Sequence, residues 1–172
     1  IEQLGGKPQI WKTGYPNILE KMAETGALLG GEMSGHVIFK DRYLGFDDGI
    51  YASVRLAEIL SQSEKKASEM FLDVPKLFST PEIRLSTGED EVKWRIMKDM
   101  GPYLSSKGQI VDVDGYRLTY PDGWGLLRAS NTQPAIVLRF EAKTQERVEE
   151  IKEIFYSKLK EYPSIEWEGD SH

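Results

Sequence analysis

Apolar residues recur along this chain with two different periods, and each change of period marks a new element. From Asn17 to Gly26 the run NILEKMAETG places Ile18, Met22 and Ala23 on one side at helical spacing, with Asn17 as cap after Pro16 and Gly26 as stop. Ala27 to Leu29 then reads as a short strand, Gly30 to His36 as a glycine-punctuated loop, and Val37 to Phe39 as a second strand. A further helix is expected from Asp47 or Asp48 to about Ser61. There Ile50, Val54, Ala57 and Leu60 or Leu56 share an apolar stripe, and the two aspartates suit the positive end of the helix dipole. Helix and strand alternate as in an α/β layer.

The polar run Ser61 to Ala67, followed by Pro75 and Pro81, predicts a linker. The chain is therefore expected to divide into residues 1–62, a hinge at 63–75 and a second unit at 76–172. In that unit Glu82 to Ser86, Ile110 to Val113, Tyr116 to Tyr120, Trp124 to Ala129 and Pro134 to Phe140 read as strands. Glu91 to Met100 reads as a helix. Thr144 to Glu161 reads as another, capped by Thr144 and carrying Val148, Ile151, Phe155 and Leu159 on one stripe. Strands and two covering helices make this unit α+β, with a mostly antiparallel sheet.

Composition narrows the function classes. Hydrophobic residues make up 40% of the 172, with four Trp, eight Tyr and six Phe, enough for a folded core. A formal charge of −6 disfavours nucleic acid, whose binding draws on Lys and Arg neutralising phosphates. With no cysteine there is neither a disulfide nor a thiolate metal site. No run approaches the ~20 apolar residues of a membrane span, and the first residues lack a signal-peptide pattern. A cytoplasmic protein without membrane partners is expected, and a start at Ile1 inside patterned sequence is expected of a piece of something longer.

Two loops carry candidate chemistry. In Gly30-Gly31-Glu32-Met33-Ser34-Gly35-His36, a carboxylate, a hydroxyl and an imidazole alternate between glycines that let the backbone bend closely around a ligand. Such a set supplies both the acceptors and the donors that sugar hydroxyls need. In Arg128-Ala129-Ser130-Asn131-Thr132, a guanidinium fork, two hydroxyls and an amide accompany successive backbone N–H groups, as suits a phosphate dianion. An ordinary polar turn is the alternative reading of either loop. Asp112-Val113-Asp114-Gly115 reads as a hairpin turn rather than a metal loop, so no metal ligand is assigned.

GEMSGH followed by FDDG, then RASNTQP entering an apolar strand, resembles the sugar-binding loop of domain 3 and the phosphate-binding loop of domain 4 in bacterial α-D-phosphohexomutases of the phosphomannomutase/phosphoglucomutase kind. WKTG at Trp11 to Gly14, DDGIYASVRLAEILS, STPE at Ser79 to Glu82 and YPDGWGLLRASNTQPAIVLRFEA extend the resemblance over nearly the whole chain. It implies a truncated α/β domain 3 followed by a TATA-box-binding-protein-like α+β domain 4, with a mostly antiparallel four-stranded sheet and two helices. It also implies an enzyme that interconverts glucose or mannose 1- and 6-phosphates through a bisphosphorylated sugar. A phosphoserine in domain 1 and Mg²⁺ held in domain 2 would perform the transfer, so this chain alone would bind no Mg²⁺ and contribute no catalytic residue. By the same resemblance Glu32, Ser34 and His36 would contact sugar hydroxyls, and Arg128, Ser130, Asn131 and Thr132 the phosphate that is not reacting. Tyr15 stands where the family often has His. A free-standing phosphosugar-binding module without turnover is the alternative, and residues 1–62 are expected to be less stable than 75–172 or to self-associate through an uncovered sheet edge.

Overall fold

The computed structural model describes residues 1–167, so His172, to which the sequence assigns no role, lies outside the described residues. The chain forms two compact units, Ile1–Pro75 and a second beginning at Lys76.

In the first unit, helix α1 (Tyr15–Thr25) starts two residues earlier than its expected cap. Gly14 occupies the cap position with Pro16 in the first turn, and Asn17 instead donates from Nδ2 to the Thr13 carbonyl at 2.7 Å. Gly26 ends the helix in the left-handed region, φ 71°, as the stop signal predicts. Strand β1 (Leu29–Gly31) begins later than expected and pairs antiparallel with β2 (Val37–Phe39). Gly30 permits close approach to α1: a Cβ there would lie 2.5 Å from the Met22 sulfur and 2.8 Å from Ile18 Cγ2.

Helix α2 (Gly49–Ser61) is capped by Asp48, which accepts from the Tyr51 N–H at 2.9 Å. The expected apolar stripe is not its packed face: Ile50 is 81% exposed and Val54 58%. The helix instead lays Tyr51 and Arg55 against Phe39 of β2, ring centroids 5.6 Å apart and the guanidinium 4.8 Å from the Phe39 ring. A three-residue strand offers too little aliphatic surface for the stripe. Residues 63–75, expected as a hinge, contain the one-turn helix α3 (Ala67–Met70) and group with this unit.

The second unit is a fully antiparallel sheet with helices on one face. Strands β5 (Gln109–Val111), β6 (Tyr116–Tyr120), β7 (Gly123–Ala129) and β8 (Ala135–Ala142) form a meander. Beyond β8, β3 (Phe78–Ser79) and β4 (Ile83–Ser86) follow one another along the same edge. The sheet is thus broader than the four strands expected. β3 is too short for alternation to reveal, and the eight residues of β8 are long enough to pair both segments. Gly115 turns β5 into β6 at φ 82°, as the Asp-Gly signal predicts.

Helix α4 (Asp90–Ser105) runs past its expected end at Met100, through Pro102, because Leu104 is still drawn into the core. It covers the sheet together with α5 (Gln145–Leu159), whose stripe of Val148, Ile151, Phe155 and Leu159 is fully buried as predicted. Leu85, Leu118, Leu127, Ile136, Leu138 and Phe140 meet these helices from the sheet. Among the described residues, the buried apolar side chains of the first unit are Met22 and Ile38, and all the others belong to the second. No described helix is long and apolar enough to cross a membrane.

Candidate functional site

The two loops lie on different units and are described separately. In the first unit the β1–β2 connection carries Glu32, Ser34 and His36. The turn closes through Glu32 N–H to the His36 carbonyl at 3.0 Å and Gly35 N–H to the Glu32 carbonyl at 3.0 Å, with Gly35 at φ 98° where an L side chain is strained. Ser34 is exposed at the tip. Glu32 accepts from the Gly14 N–H at 3.2 Å, which ties the WKTG segment to the loop. Its other carboxylate oxygen lies 3.7 Å from Nε2 of His36. The ring of Tyr15, first residue of α1, sits 6.4 Å from the His36 ring. Hence Tyr15, Glu32 and His36 meet in one place although Tyr15 precedes Glu32 by 17 residues, and Ser34 stands on the same loop.

Asp47, expected at the start of a helix, proves to hold this loop. Asp47 bonds Nδ1 of His36 through one oxygen and accepts the Val37 N–H at 3.1 Å through the other. Asp48 caps α2 and also accepts from the Tyr43 hydroxyl. The bond to Asp47 raises the His36 pKa above its ordinary 6.5, aided by the charges of Asp47 and Glu32 and opposed by desolvation. Reciprocally, His36 and the Val37 N–H lower that of Asp47.

The signs fix a pH window. A raised imidazole pKa contributes stability that is complete below the unfolded value and disappears as pH rises through the folded one. A lowered carboxyl pKa contributes stability present above its unfolded value and lost as pH falls through the folded one. The pair is therefore strongest from about pH 4 to about 6.5 and weakens as pH rises through the raised His36 value. The His36 ring-proton resonances are expected to titrate with a midpoint above 6.5, and Asp47→Asn to bring that midpoint down. An unchanged midpoint in the variant would show that Asp47 does not control the ring.

In the second unit Arg128 and Ala129 end β7, Ser130 is buried, and Asn131 and Thr132 are exposed in the turn before β8. Ser130 N–H donates to the Ala135 carbonyl at 2.9 Å, and Ser130 Oγ accepts from Thr132 N–H at 3.4 Å. Register places two further arginines beside Arg128. Leu126 pairs with Arg139 of β8 on one side and Arg117 of β6 on the other, and Arg128 is two residues along on the same face. The Nε atoms of Arg117 and Arg139 are buried without a partner, and desolvation lowers the Arg117 pKa against the pull of Glu141. Arg117 also stacks on Trp124 at 4.3 Å. Like charges so grouped on one sheet face are unfavourable by themselves, and Glu141 on the same face offsets them only in part.

Arg117 and Arg139 escaped the sequence reading. The available signal was parity: in the apolar strand AIVLRFEA, Arg139 and Glu141 fall on the alternate positions that must face away from the helices. Lys93, also missed, lies behind the loop, and no sequence pattern singled it out. Among the described residues, no three His, Asp or Glu side chains gather as a metal site would require. Asp112 and Asp114 sit on the β5–β6 turn, and Asp47 and Asp48 are engaged with His36 and Tyr43.

Two family models match the chain: residues 1–78 match the phosphoglucomutase/phosphomannomutase alpha/beta/alpha domain III, and residues 72–158 match the C-terminal domain of the same proteins. The chain belongs to the phosphoglucomutase/phosphomannomutase family. It is 52% identical over 161 residues to a phosphomannomutase/phosphoglucomutase of Pseudomonas aeruginosa, covering 93% of this chain and 35% of that protein. To a phosphoglucomutase of Neisseria gonorrhoeae it is 44% identical, over 97% of this chain and 36% of the relative. A crystal structure of a phosphoglucomutase/phosphomannomutase family protein from Burkholderia thailandensis superposes with a TM-score of 0.80 at 41% identity, over 94% of this chain and 34% of that one. The chain thus spans about a third of the length of these relatives.

Proposed function

We propose that this chain supplies the substrate-recognition part of a hexose-phosphate mutase, one that interconverts hexose 1-phosphate and hexose 6-phosphate through a bisphosphorylated sugar. The observation that carries the reading is Arg128, beside Arg117 and Arg139, next to a polar turn whose N–H groups and hydroxyls suit phosphate oxygens. In this role Arg128, Ser130, Asn131 and Thr132 bind the phosphate that is not reacting, with Arg139 adding a second fork. Glu32, Ser34 and His36 bind sugar hydroxyls. Asp47 keeps the His36 ring oriented and inclined to hold its second proton, so Nε2–H donates to a sugar oxygen while Glu32 accepts from a neighbouring hydroxyl. Tyr15 supplies a neighbouring phenol and ring surface.

Such a division suits the chemistry. An intermediate with a phosphate at each end must present either end to the same transferring group. A clamp for the idle phosphate then serves both half-reactions and uses remote binding energy to place the reacting end. No residue of this chain is assigned the phosphoryl transfer.

NMR titration with glucose 1-phosphate and with mannose 1-phosphate tests the reading. Amide shifts are expected in residues 128–132 and 32–36, and Arg128→Ala should weaken binding by about tenfold or more, the worth of a charge-assisted hydrogen bond. Equal affinity in the variant would remove Arg128 from the site.

A further inference from the structure

Lys93 is buried, 3% exposed, in the first turn of α4, although a lysine ammonium is costly to bury without partners. Its Nζ donates to the carbonyl of Ser130 at 2.9 Å and to that of Gln133 at 3.0 Å, and lies 2.8 Å from Asp90 Oδ1. Three donors therefore meet three acceptors, two of them backbone carbonyls of the turn from Ser130 to Pro134. Just upstream, buried Thr87 bonds the Pro134 carbonyl at 2.8 Å from both its N–H and its hydroxyl. The turn is held from behind by three of its own carbonyls.

Because the peptide unit is planar, fixing the Ser130 carbonyl toward α4 aims the Asn131 N–H the opposite way, to the exposed side of the turn. The same contacts place a positive charge directly behind that side, offset in part by Asp90, whose side chain is 61% exposed. We propose that Lys93 is a positioning residue of the phosphate-binding turn: it fixes the outward Asn131 N–H and selects the dianionic form of phosphate, without touching the ligand. A neutral residue at 93 could preserve the packing of α4 but not this selection.

Lys93 has this role only if the turn takes phosphate, so the probe is inorganic phosphate, which has no sugar to engage the other loop. Binding is read from the amides of residues 128–132 in the whole chain, as phosphate passes from monoanion to dianion between about pH 5.5 and about pH 8. The native chain is expected to tighten across this range and Arg128→Ala to lose binding. Lys93→Met, with its spectrum still dispersed, should bind the dianion about tenfold more weakly and lose most of the preference for it. Lys93→Arg should restore binding to within about threefold, and Asp90→Asn should tighten it by about twofold.

A Lys93→Met chain with native affinity and pH profile, while Arg128→Ala still abolishes binding, overturns the assignment and leaves the phosphate site standing. Should Lys93→Met fail to fold, unchanged dianion affinity in Asp90→Asn overturns it instead. No binding by the native chain overturns the phosphate site and the role of Lys93 together.

Discussion

Phe140→Ala is expected to destabilise the second unit by about 3–5 kcal/mol, the range for removing a buried aromatic ring. Phe140 is fully buried in β8, the strand with the most partners in the sheet, and packs edge-on against Phe155 of α5 at 5.2 Å and Tyr156 at 6.3 Å. Few groups can collapse into the space. Across β7 the residue opposite is Gly125, where a Cβ would lie 2.6 Å from one ring and 2.9 Å from the other, so that position has no side chain to fill the hole. Chemical denaturation followed by tryptophan fluorescence measures the loss. A loss under about 1 kcal/mol would mean that the Phe140–Phe155 pair is not the centre of the core.

Amide exchange is expected to separate the two units by about a hundredfold or more, the first being the faster. The reason is burial. Among the described residues, Met22 and Ile38 are the buried apolar side chains of the first unit, whose sheet consists of two three-residue strands. Two such strands are marginal without further cover. Meanwhile Leu28, Leu29, Met33, Ile50, Val54, Leu56 and Ile59 are exposed, so much of the apolar surface that could stabilise this unit remains in water. Exchange measured segment by segment in a dilute sample should show β1, β2 and α2 losing protection long before β7 and β8. Greater protection in the first unit for a monomeric sample would refute this. Protection there that rises with protein concentration would identify a second copy of the chain as the cover.

The hydrogen bonds of the His36 loop belong to the same unit. Asp47, Glu32 and the Gly14 N–H fix the side chains well relative to one another. Local order of that kind is compatible with a low free energy of opening, because few of the groups involved are enclosed.

Where an element has a long, one-sided period, the sequence alone located it. α5 and its four-residue stripe, the Thr144 cap, the Gly26 stop and the Asp114-Gly115 turn are all local consequences of side-chain spacing or of φ preference. The candidate loops were legible for a related reason: glycines bracketing Glu32 to His36, and a polar run between apolar strands at Arg128 to Thr132, stand out against their neighbours. Other features were decided by contacts between residues far apart in the chain. Which side of α2 packs depended on what β2 offered, and Phe39 selected Tyr51 and Arg55 over the apolar stripe. Strand register alone brought Arg117 and Arg139 to Arg128, and only the docking of α4 put Lys93 under Ser130, 37 residues away. Periodicity reports the face a residue occupies on its own element. Which other face it meets is settled when the elements pack, since that choice minimises exposed apolar area and unpaired polar groups over the whole unit at once.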